Sequence, residues 1–218
     1  GCGKFGSKLL SKLKNISDVD VSWVCTSKSK WWERSKVDLV VVSSPNEFHY
    51  EQVKFFLEQG VNVFCEKPAT LSTDSLNHLI SISQKTSSHF YIDDVLMYED
   101  VIPTNKFIYK KWGGSSLSNI IDRMAYHHFY LMYDNVGGIQ DYQLSVIKNE
   151  LNYKHFELKF EDTPYNGYGV DYKSYEFEYD FNWYDTKVNS IKTQFNGDAL
   201  QTMLDCVLHE NVDFKLNQ

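Results

Sequence analysis

The order of the apolar runs in this 218-residue chain predicts an α/β fold: a Rossmann-type doubly wound parallel sheet followed by a smaller α+β domain with a mostly antiparallel open sheet. Up to about residue 95, short β-branched runs alternate with segments of helical periodicity, as in βαβ units. After about residue 140, strand-like runs follow one another without helices, which indicates an antiparallel sheet. We therefore expect a first domain over residues 1–95 and a second over 96–218.

The first domain is predicted to alternate helices with strands, and capping residues mark two helix ends. Gly60 stands where a helix C-cap belongs, and Ser72 or Thr73 can cap the next helix at its N-terminus. The expected helices cover residues 2–15, 47–59 and 73–85, and the expected strands cover 19–25, 38–43, 61–65 and 90–95.

In the second domain, aromatic residues alternate with acids from Tyr175 to Phe181. This period of two places the large rings on one face of a strand and the acids on the other. A short domain has few helices to cover two sheet faces, so we expect a homodimer or higher homo-oligomer through an open face. The alternative is that the aromatic row is core within one chain. The expected strands cover 143–148, 155–160, 174–181 and 187–195, with a final helix over 199–208.

The overall charge and the cysteine spacing exclude several classes of partner. A net charge of −7 argues against a surface that follows nucleic-acid phosphates. No apolar run approaches the roughly eighteen residues that span a bilayer, so we expect no membrane partner and a cytoplasmic protein. The four cysteines show no metal-ligand spacing, so reduced thiols and no bound metal are expected.

The chain opens with GCGKFG, a GxGxxG turn that leads directly into the first predicted helix. The first glycine permits a tight turn, the second lets the backbone approach a pyrophosphate, and the third allows close packing of helix on strand. The alternative is a purely structural turn, and the strand that usually precedes such a turn is expected outside this sequence. The expected dinucleotide-binding residues are Gly1, Gly3, Lys4, Phe5 and Gly6.

The next expected contact is with the adenosine ribose, which usually meets an acid after the second strand. Here Thr26, Ser27 and Lys28 stand at that position, with no acid among them. Hydroxyls and a cation can accept a 2′-phosphate, which a carboxylate would repel. The cofactor is therefore NAD or NADP, and the alternative for Lys28 is a solvated surface charge.

Two polar motifs follow neighbouring strands, SPNEFH at residues 44–49 and EKP at residues 66–68. Parallel strands share one carboxyl edge, and ligands bind there in open α/β sheets. The expected cofactor-binding residues at this edge are Ser44, Pro45, Asn46, His49, Glu66, Lys67 and Pro68.

Together with the glycine turn, these motifs resemble those of the glucose-fructose oxidoreductase and inositol dehydrogenase (Gfo/Idh/MocA) family, closely over the first hundred residues and more loosely beyond. The resemblance implies a nicotinamide-binding Rossmann domain and a second domain whose open sheet often forms a dimer interface. It also implies oxidation or reduction of a hydroxyl or carbonyl carbon on sugars, cyclitols or nucleotide sugars.

Lys67 is the candidate for catalysis on chemical grounds as well. A hydroxyl that loses hydride must also lose a proton, and an ammonium beside the reacting oxygen stabilises the developing alkoxide or relays the proton. The alternative is that Lys67 is a solvated charge after a strand.

The resemblance continues at residues 122–138, where the family carries D-x-x-x-H ahead of an apolar helix and a glycine. It makes His127 the acid/base partner of Lys67, and it places Arg123 where the family has aspartate. Arg123, Tyr126 and His128 are further candidate substrate contacts beside Lys67 and His127, and the alternative is that both histidines simply pack at a helix start.

Three functions remain open on the sequence. The first is an NAD(P)-dependent oxidoreductase of a sugar, cyclitol or nucleotide sugar, with Lys67 and His127 handling the proton. The second is a dinucleotide-binding regulatory or accessory protein without turnover, as the missing aspartate and the short second domain suggest. The third is a reductase of another small carbonyl or imine.

Overall fold

The computed structural model describes residues 2–34, 36–99, 101–102, 104–111, 125–136, 141–160, 173–182, 187–194 and 197–209. These residues form two compact units. The first contains the described residues up to Tyr98 together with 197–209, and the second contains those between Glu99 and residue 194.

The first unit is built on a parallel three-stranded sheet in the order β1-β2-β3. Its strands are β1 (Leu39–Val42), β2 (Asn62–Cys65) and β3 (Phe90–Ile92). The helices of this unit are α1 (Lys4–Leu13), α2 (His49–Glu58), α3 (Thr73–Thr86) and, near the end of the described chain, α5 (Ala199–Leu208).

Alternate residues of these strands are buried on opposite faces of the sheet. Val40 and Val63 share a core with residues of α2 and α3, while Phe64 and Tyr91 share one with residues of α1 and α5. Helices therefore cover both faces, which confirms the expected doubly wound arrangement and explains why the strands are almost wholly apolar.

The capping residues behave as the sequence predicts. The Ser72 hydroxyl accepts a hydrogen bond from the Ser75 amide at the start of α3, at 3.4 Å. Gly60, just beyond α2, has φ of 68°, a left-handed conformation that suits glycine.

The expected strand over residues 19–25 is wrong, because this segment pairs with no described strand and has no regular structure. The segment, α1 and β1 all line a cavity of about 600 Å³. Val19 and Val21 pack beside the core that includes α1 and α5, whereas Trp23 stacks on Phe56 of α2 with ring centroids 6.1 Å apart. Side-chain packing thus satisfies the apolar pattern without a hydrogen-bonded ladder.

The described part of the second unit is a five-stranded sheet with one helix, α4 (Tyr126–Val136). The strand order is β5-β6-β7-β4-β8, in which only the β4–β7 pair is parallel. The expected mostly antiparallel sheet is confirmed, and β4 is a strand that the sequence analysis did not predict. The strands are β4 (Lys106–Lys110), β5 (Tyr142–Glu150), β6 (Tyr153–Phe160), β7 (Ser174–Asp180) and β8 (Val188–Asn189).

The aromatic row of β7 is intramolecular core. Tyr175, Phe177 and Tyr179 are fully buried, and Phe129 of α4 packs on Phe177 with ring centroids 5.1 Å apart. Phe156 of β6 stacks on the same ring at 4.8 Å. The aromatic row is therefore core within one chain, and the interpretation that these rings form a contact between copies is wrong.

The opposite face of the sheet carries a ladder of charges. Lys106 pairs with Glu176 at 2.8 Å, and Lys110 pairs with Glu178 at 2.6 Å. The Tyr153 hydroxyl donates to Glu178 at 3.1 Å. Desolvation, followed by the Glu178 charge, raises the pKa of Tyr153 to about 12, so this hydroxyl stays a donor at neutral pH.

Strand β5 differs from its neighbours, because every residue in it is exposed. Tyr142, Leu144 and Val146 stand opposite Phe160, Leu158 and Phe156 of β6, so their face continues the core-facing side of the sheet. The ladder shifts register between Val146 and Lys148, as at a β-bulge.

Helix α5 belongs to the core of the first unit, although the expected domain division assigned it to the second. Met203 and Leu204 are buried in one cluster with Leu9 of α1 and Phe64 of β2. At the N-terminus of α5, the Asp198 carboxylate accepts from the Gln201 amide at 3.1 Å and pairs with Lys12. The apolar face of α5 therefore packs against α1 and β2 of the first unit.

Candidate functional site

The glycine turn lies at the N-terminus of α1, as expected. Gly3 is the N-cap, no side chain caps the helix, and its first turn contains no acid. The first-turn amides lack intrahelical partners and carry partial positive charge, which suits a phosphate. A Cβ at Gly3 would meet no atom within 4 Å, so the space beside it is open to a ligand.

The other members of the turn also fit a pyrophosphate. Lys4 and Phe5 are the first residues of α1, and Gly6 is buried, as close packing of the helix requires. Gly6 also lines the cavity described above together with Ser43, the residue that follows β1. Gly1 lies outside the described residues.

Thr26, Ser27 and Lys28 form an exposed turn held by hydroxyl contacts. The Thr26 amide donates to the Ser29 hydroxyl at 2.9 Å, and the Lys28 amide donates to the Thr26 hydroxyl at 3.3 Å. The turn offers hydroxyls and a cation without a carboxylate, which is the chemistry that a 2′-phosphate would accept.

His49 brings the two strand-end motifs together. This side chain is fully buried at the start of α2. Its Nδ1 lies 2.9 Å from the Pro68 carbonyl oxygen, and its Nε2 lies 2.7 Å from the Ser44 carbonyl oxygen. The Ser44 hydroxyl donates to Gln52 at 2.9 Å, and a short 3-10 turn from Asn46, preceded by Pro45, leads into the helix.

Lys67 stands between two fixed points of this edge. The Glu66 amide, one residue earlier, donates to the Val42 carbonyl of β1 at 2.8 Å. Pro68, one residue later, is buried, and the Lys67–Pro68 peptide bond is cis. Lys67 itself is partly exposed. Its backbone is therefore anchored on both sides while its side chain keeps access to solvent.

The same edge contains acids that the sequence analysis did not select. Asp93 and Asp94 are buried and directly follow β3, and the Asp93 amide donates to the Cys65 carbonyl at 2.8 Å. Burial, then the charges of Glu66 and Asp93, raises the pKa of the Cys65 thiol, which therefore stays protonated. The signal that could have found these acids is a pair of adjacent aspartates inside the run predicted as a strand over 90–95, because two consecutive acids favour a strand end at Ile92.

In the second unit, His127 and Tyr126 lie partly exposed in the first turn of α4, with ring centroids 5.6 Å apart. His128 is buried, with its Nδ1 2.7 Å from the Tyr179 hydroxyl and its ring stacked on Phe107. Desolvation raises the pKa of Tyr179, so its hydroxyl stays protonated and donates to His128. This placement makes His128 a core residue and argues against its expected contact with substrate. Arg123 lies outside the described residues.

Neither a metal-binding cluster nor a membrane-spanning helix occurs in the described ranges. Within them, no group of three or more His, Cys, Asp or Glu side chains is arranged to hold a metal ion. No helix in this part of the chain is long and apolar enough to cross a membrane.

The first unit is a Rossmann unit suited to a dinucleotide. It combines a parallel sheet covered by helices on both faces, a glycine turn at an uncapped helix, and polar motifs at the strand ends. Residues 1–93 match the sequence model of the oxidoreductase family with an NAD-binding Rossmann fold, GFO_IDH_MocA. This match covers 93 of the 218 residues, and over them it confirms the resemblance of the motifs to the Gfo/Idh/MocA family.

Curated relatives match within a short stretch. The chain is 35% identical over 81 residues to 2,7-anhydro-N-acetylneuraminate hydratase of Mediterraneibacter gnavus, covering 37% of this chain and 21% of that protein. It is 40% identical over 50 residues to D-glucoside 3-dehydrogenase of Escherichia coli K12, covering 23% of this chain and 14% of that protein. The matched stretches thus span about a fifth or less of these relatives.

Solved structures resemble more of the chain at lower identity. The WlbA dehydrogenase of Thermus thermophilus, in complex with NAD and UDP-GlcNAcA, has a TM-score of 0.62 at 17% identity, over 83% of this chain and 68% of that one. UDP-N-acetylglucosamine 3-dehydrogenase of Acidithiobacillus ferrooxidans has a TM-score of 0.57 at 12% identity, over 81% and 71%. Similarity at this level of identity supports the fold.

Proposed function

We propose that this chain acts as an NAD(P)-dependent oxidoreductase on a hydroxyl or carbonyl carbon of a sugar, cyclitol or nucleotide sugar. The observation that carries the proposal is the uncapped, acid-free N-terminus of α1 behind its glycine turn, in a unit whose strand ends present Lys67. We also propose a cytoplasmic place of action, in keeping with four free cysteines.

In this proposal, two side chains handle the proton. Lys67 stabilises the charge on the reacting oxygen or relays its proton, because an ammonium there interacts most strongly as the oxygen becomes negative. His127 exchanges that proton with solvent, which an imidazole does readily near neutral pH. A bound nicotinamide would take or give the hydride.

The substrate class rests on the relatives. D-glucoside 3-dehydrogenase and UDP-N-acetylglucosamine 3-dehydrogenase are both named for oxidation of a sugar hydroxyl. WlbA was crystallised with a nucleotide sugar and NAD. A sugar or nucleotide sugar is therefore the proposed substrate, bound beside Lys67, with Tyr126 and Arg123 as candidate contacts from the second unit.

A second candidate function is dinucleotide binding without turnover. The observation in its favour is Arg123, which stands where the family carries an aspartate. Stoichiometric cofactor binding, combined with no turnover of any compound in a broad panel of sugars and nucleotide sugars, would select this alternative. Turnover of a small carbonyl compound or imine, added to the same panel, would select a third function, the reduction of such a compound.

We predict that the protein binds NADH or NADPH, because the first turn of α1 offers unpaired positive dipoles to the pyrophosphate. Titration followed by energy transfer from protein aromatics to the reduced nicotinamide measures the affinity for each. The absence of binding by either cofactor at about millimolar concentration, a free energy of only about 4 kcal/mol, would contradict the proposal.

The same titration separates the two cofactors. If Lys28 contacts a 2′-phosphate, Lys28→Ala weakens NADPH binding and leaves NADH binding unchanged. Lys14→Ala, at the exposed C-terminal end of α1, is the matched control for a general loss of positive charge. If Lys28→Ala and Lys14→Ala change NADPH affinity equally, Lys28 is a solvated surface charge and does not contact a 2′-phosphate.

We further propose that the protein is a homodimer or higher homo-oligomer through the charged face of the second-unit sheet. Helix α4 packs on the aromatic face, whereas the opposite face presents the Lys106–Glu176 and Lys110–Glu178 pairs. Glu178 and Lys110 already have only 14% and 20% of their side chains exposed in one chain, so a second sheet would cover a face with little unpaired charge.

Light scattering tests this proposal at micromolar concentration. The expected mass is at least twice the 25.5 kDa of one chain, and a Lys110→Glu substitution, which places like charges beside Glu178, should lower it. Lys85→Glu, on the exposed end of α3 in the first unit, is the control. If the unmodified protein has the mass of a single chain, the proposed oligomer is wrong.

A further inference from the structure

Both ring nitrogens of His49 contact atoms that can only accept hydrogen bonds. Nδ1 faces the Pro68 carbonyl oxygen at 2.9 Å, and Nε2 faces the Ser44 carbonyl oxygen at 2.7 Å. A neutral imidazole has one N–H donor, and its other nitrogen is an acceptor. With either tautomer, one of these two contacts would therefore set a nitrogen lone pair against a carbonyl oxygen.

Burial makes that mismatch costly. His49 has no exposed surface, so water cannot separate the nitrogen from the carbonyl oxygen. We propose that His49 is held as an imidazolium, whose two N–H groups donate to Ser44 and Pro68, and that it is a positioning residue for Lys67. The part concerning Lys67 rests on the proposed function, whereas the protonation state does not.

A buried cation needs strong partners, and two backbone carbonyl oxygens lie within hydrogen-bond distance of the His49 ring. Hydrogen bonds from a charged donor are shorter and roughly twice as strong as those between neutral groups. The acids Glu66, Asp93 and Asp94 stand at the ends of β2 and β3, on the same edge of the sheet. The edge of the sheet that holds the proposed cation therefore also carries three acidic side chains.

The two bonds link separate parts of the edge. Ser44 follows β1 and precedes α2, whereas Pro68 ends the turn that carries Lys67 after β2. On the other side of Lys67, the Glu66 amide is bonded to Val42 of β1. Lys67 is thus held between a backbone bond and the imidazolium bond, and both join its turn to β1 or to the turn that follows it.

His128 shows that burial of a histidine does not by itself require this charge. Its Nδ1 meets the Tyr179 hydroxyl, which can donate, so the neutral ring satisfies that contact. The acceptor set around His49 is what distinguishes it.

The first test is nitrogen NMR of the unmodified protein labelled in its seven histidines, at neutral pH. His49 is assigned from the signal lost in His49→Gln, or, if that variant does not fold, by elimination with substitutions of the other six. Both ring nitrogens of His49 should resonate as protonated and bear slowly exchanging hydrogens. One protonated and one unprotonated nitrogen would overturn the imidazolium.

The second test concerns positioning and uses amide hydrogen exchange. Gln at position 49 keeps two N–H donors, whereas Phe keeps the ring and has none. In His49→Phe, exchange of the Glu66 amide should accelerate at least tenfold relative to that of Val63, which bonds His89 at the other end of β2. His49→Gln should restore most of the protection.

Equal acceleration at Glu66 and Val63 would indicate a general loss of stability and would overturn the positioning role. Glu66 exchange unchanged in His49→Phe would do the same. Both tests are made without cofactor, so a failure to bind NADH or NADPH would contradict the proposed function and leave the result on His49 standing.

Discussion

Lys67→Met is expected to lower turnover by about a hundredfold or more, roughly 2.7 kcal/mol, while cofactor affinity stays within a few-fold of the parent. The ammonium is needed most when the reacting oxygen carries charge, so its loss raises the barrier more than it weakens ground-state binding. Methionine preserves the length of the side chain without the charge. The measurement is the rate of NADH formation or consumption with a substrate found in the sugar panel.

Lys85→Met is the matched control, since Lys85 is an exposed lysine in the last turn of α3. It should keep full turnover. If Lys67→Met behaves like this control, Lys67 is a surface charge after a strand, and the catalytic assignment fails. Loss of cofactor binding in step with turnover would instead place the role of Lys67 in binding the dinucleotide.

Phe177→Ala should destabilise the protein by about 3–5 kcal/mol, the usual cost of removing a fully buried phenyl ring. This ring is fully buried in the middle of β7, between Phe156 at 4.8 Å and Phe107 at 5.3 Å, and α4 packs over it through Phe129. Few side chains could move into the space, because the neighbouring rings are held by their own strands. Urea denaturation followed by circular dichroism measures the loss.

Phe48→Ala provides the comparison, because Phe48 is 53% exposed. Its effect should be within about 0.5 kcal/mol. Comparable effects of the two substitutions would mean that the aromatic row contributes far less to stability than its burial indicates.

The periodicity of apolar residues correctly predicts a helix or strand where a single segment packs one of its faces against a core. The last helix was predicted over 199–208 and is observed over the same residues, because its apolar positions repeat at helical spacing and Asp198 caps it. The aromatic alternation of β7 likewise predicted a strand with one buried face. Which partner covers each face is a tertiary property, so neither the burial of the aromatic row under α4 nor the packing of α5 in the first unit followed from the pattern.

The remaining differences have local causes. Residues 19–25 alternate like a strand. Trp23 nevertheless stacks on Phe56, and Val19 and Val21 pack against a core, although the segment pairs with no strand among the described residues. Strand β4 escaped prediction because it is a short apolar run bounded by Lys106 and Lys110, whose charges belong to cross-strand pairs that the sequence does not display. At the candidate site, the motifs were readable, but the contact of His49 with Pro68 joins residues nineteen positions apart and required the fold.

Strand β5 has a consequence for how the protein behaves at high concentration. It is an outer strand, so one row of its backbone donors and acceptors is unpaired within the described sheet, and its five residues from Gln143 to Ile147 carry no charge. Such an edge can template growth of the sheet by another chain, the first step of amyloid-like aggregation. The register shift and Lys148 at its far end oppose this, because a kinked and charged edge is a poor template. A substitution that straightens or neutralises this end of β5 should therefore increase pairing between the edges of separate chains.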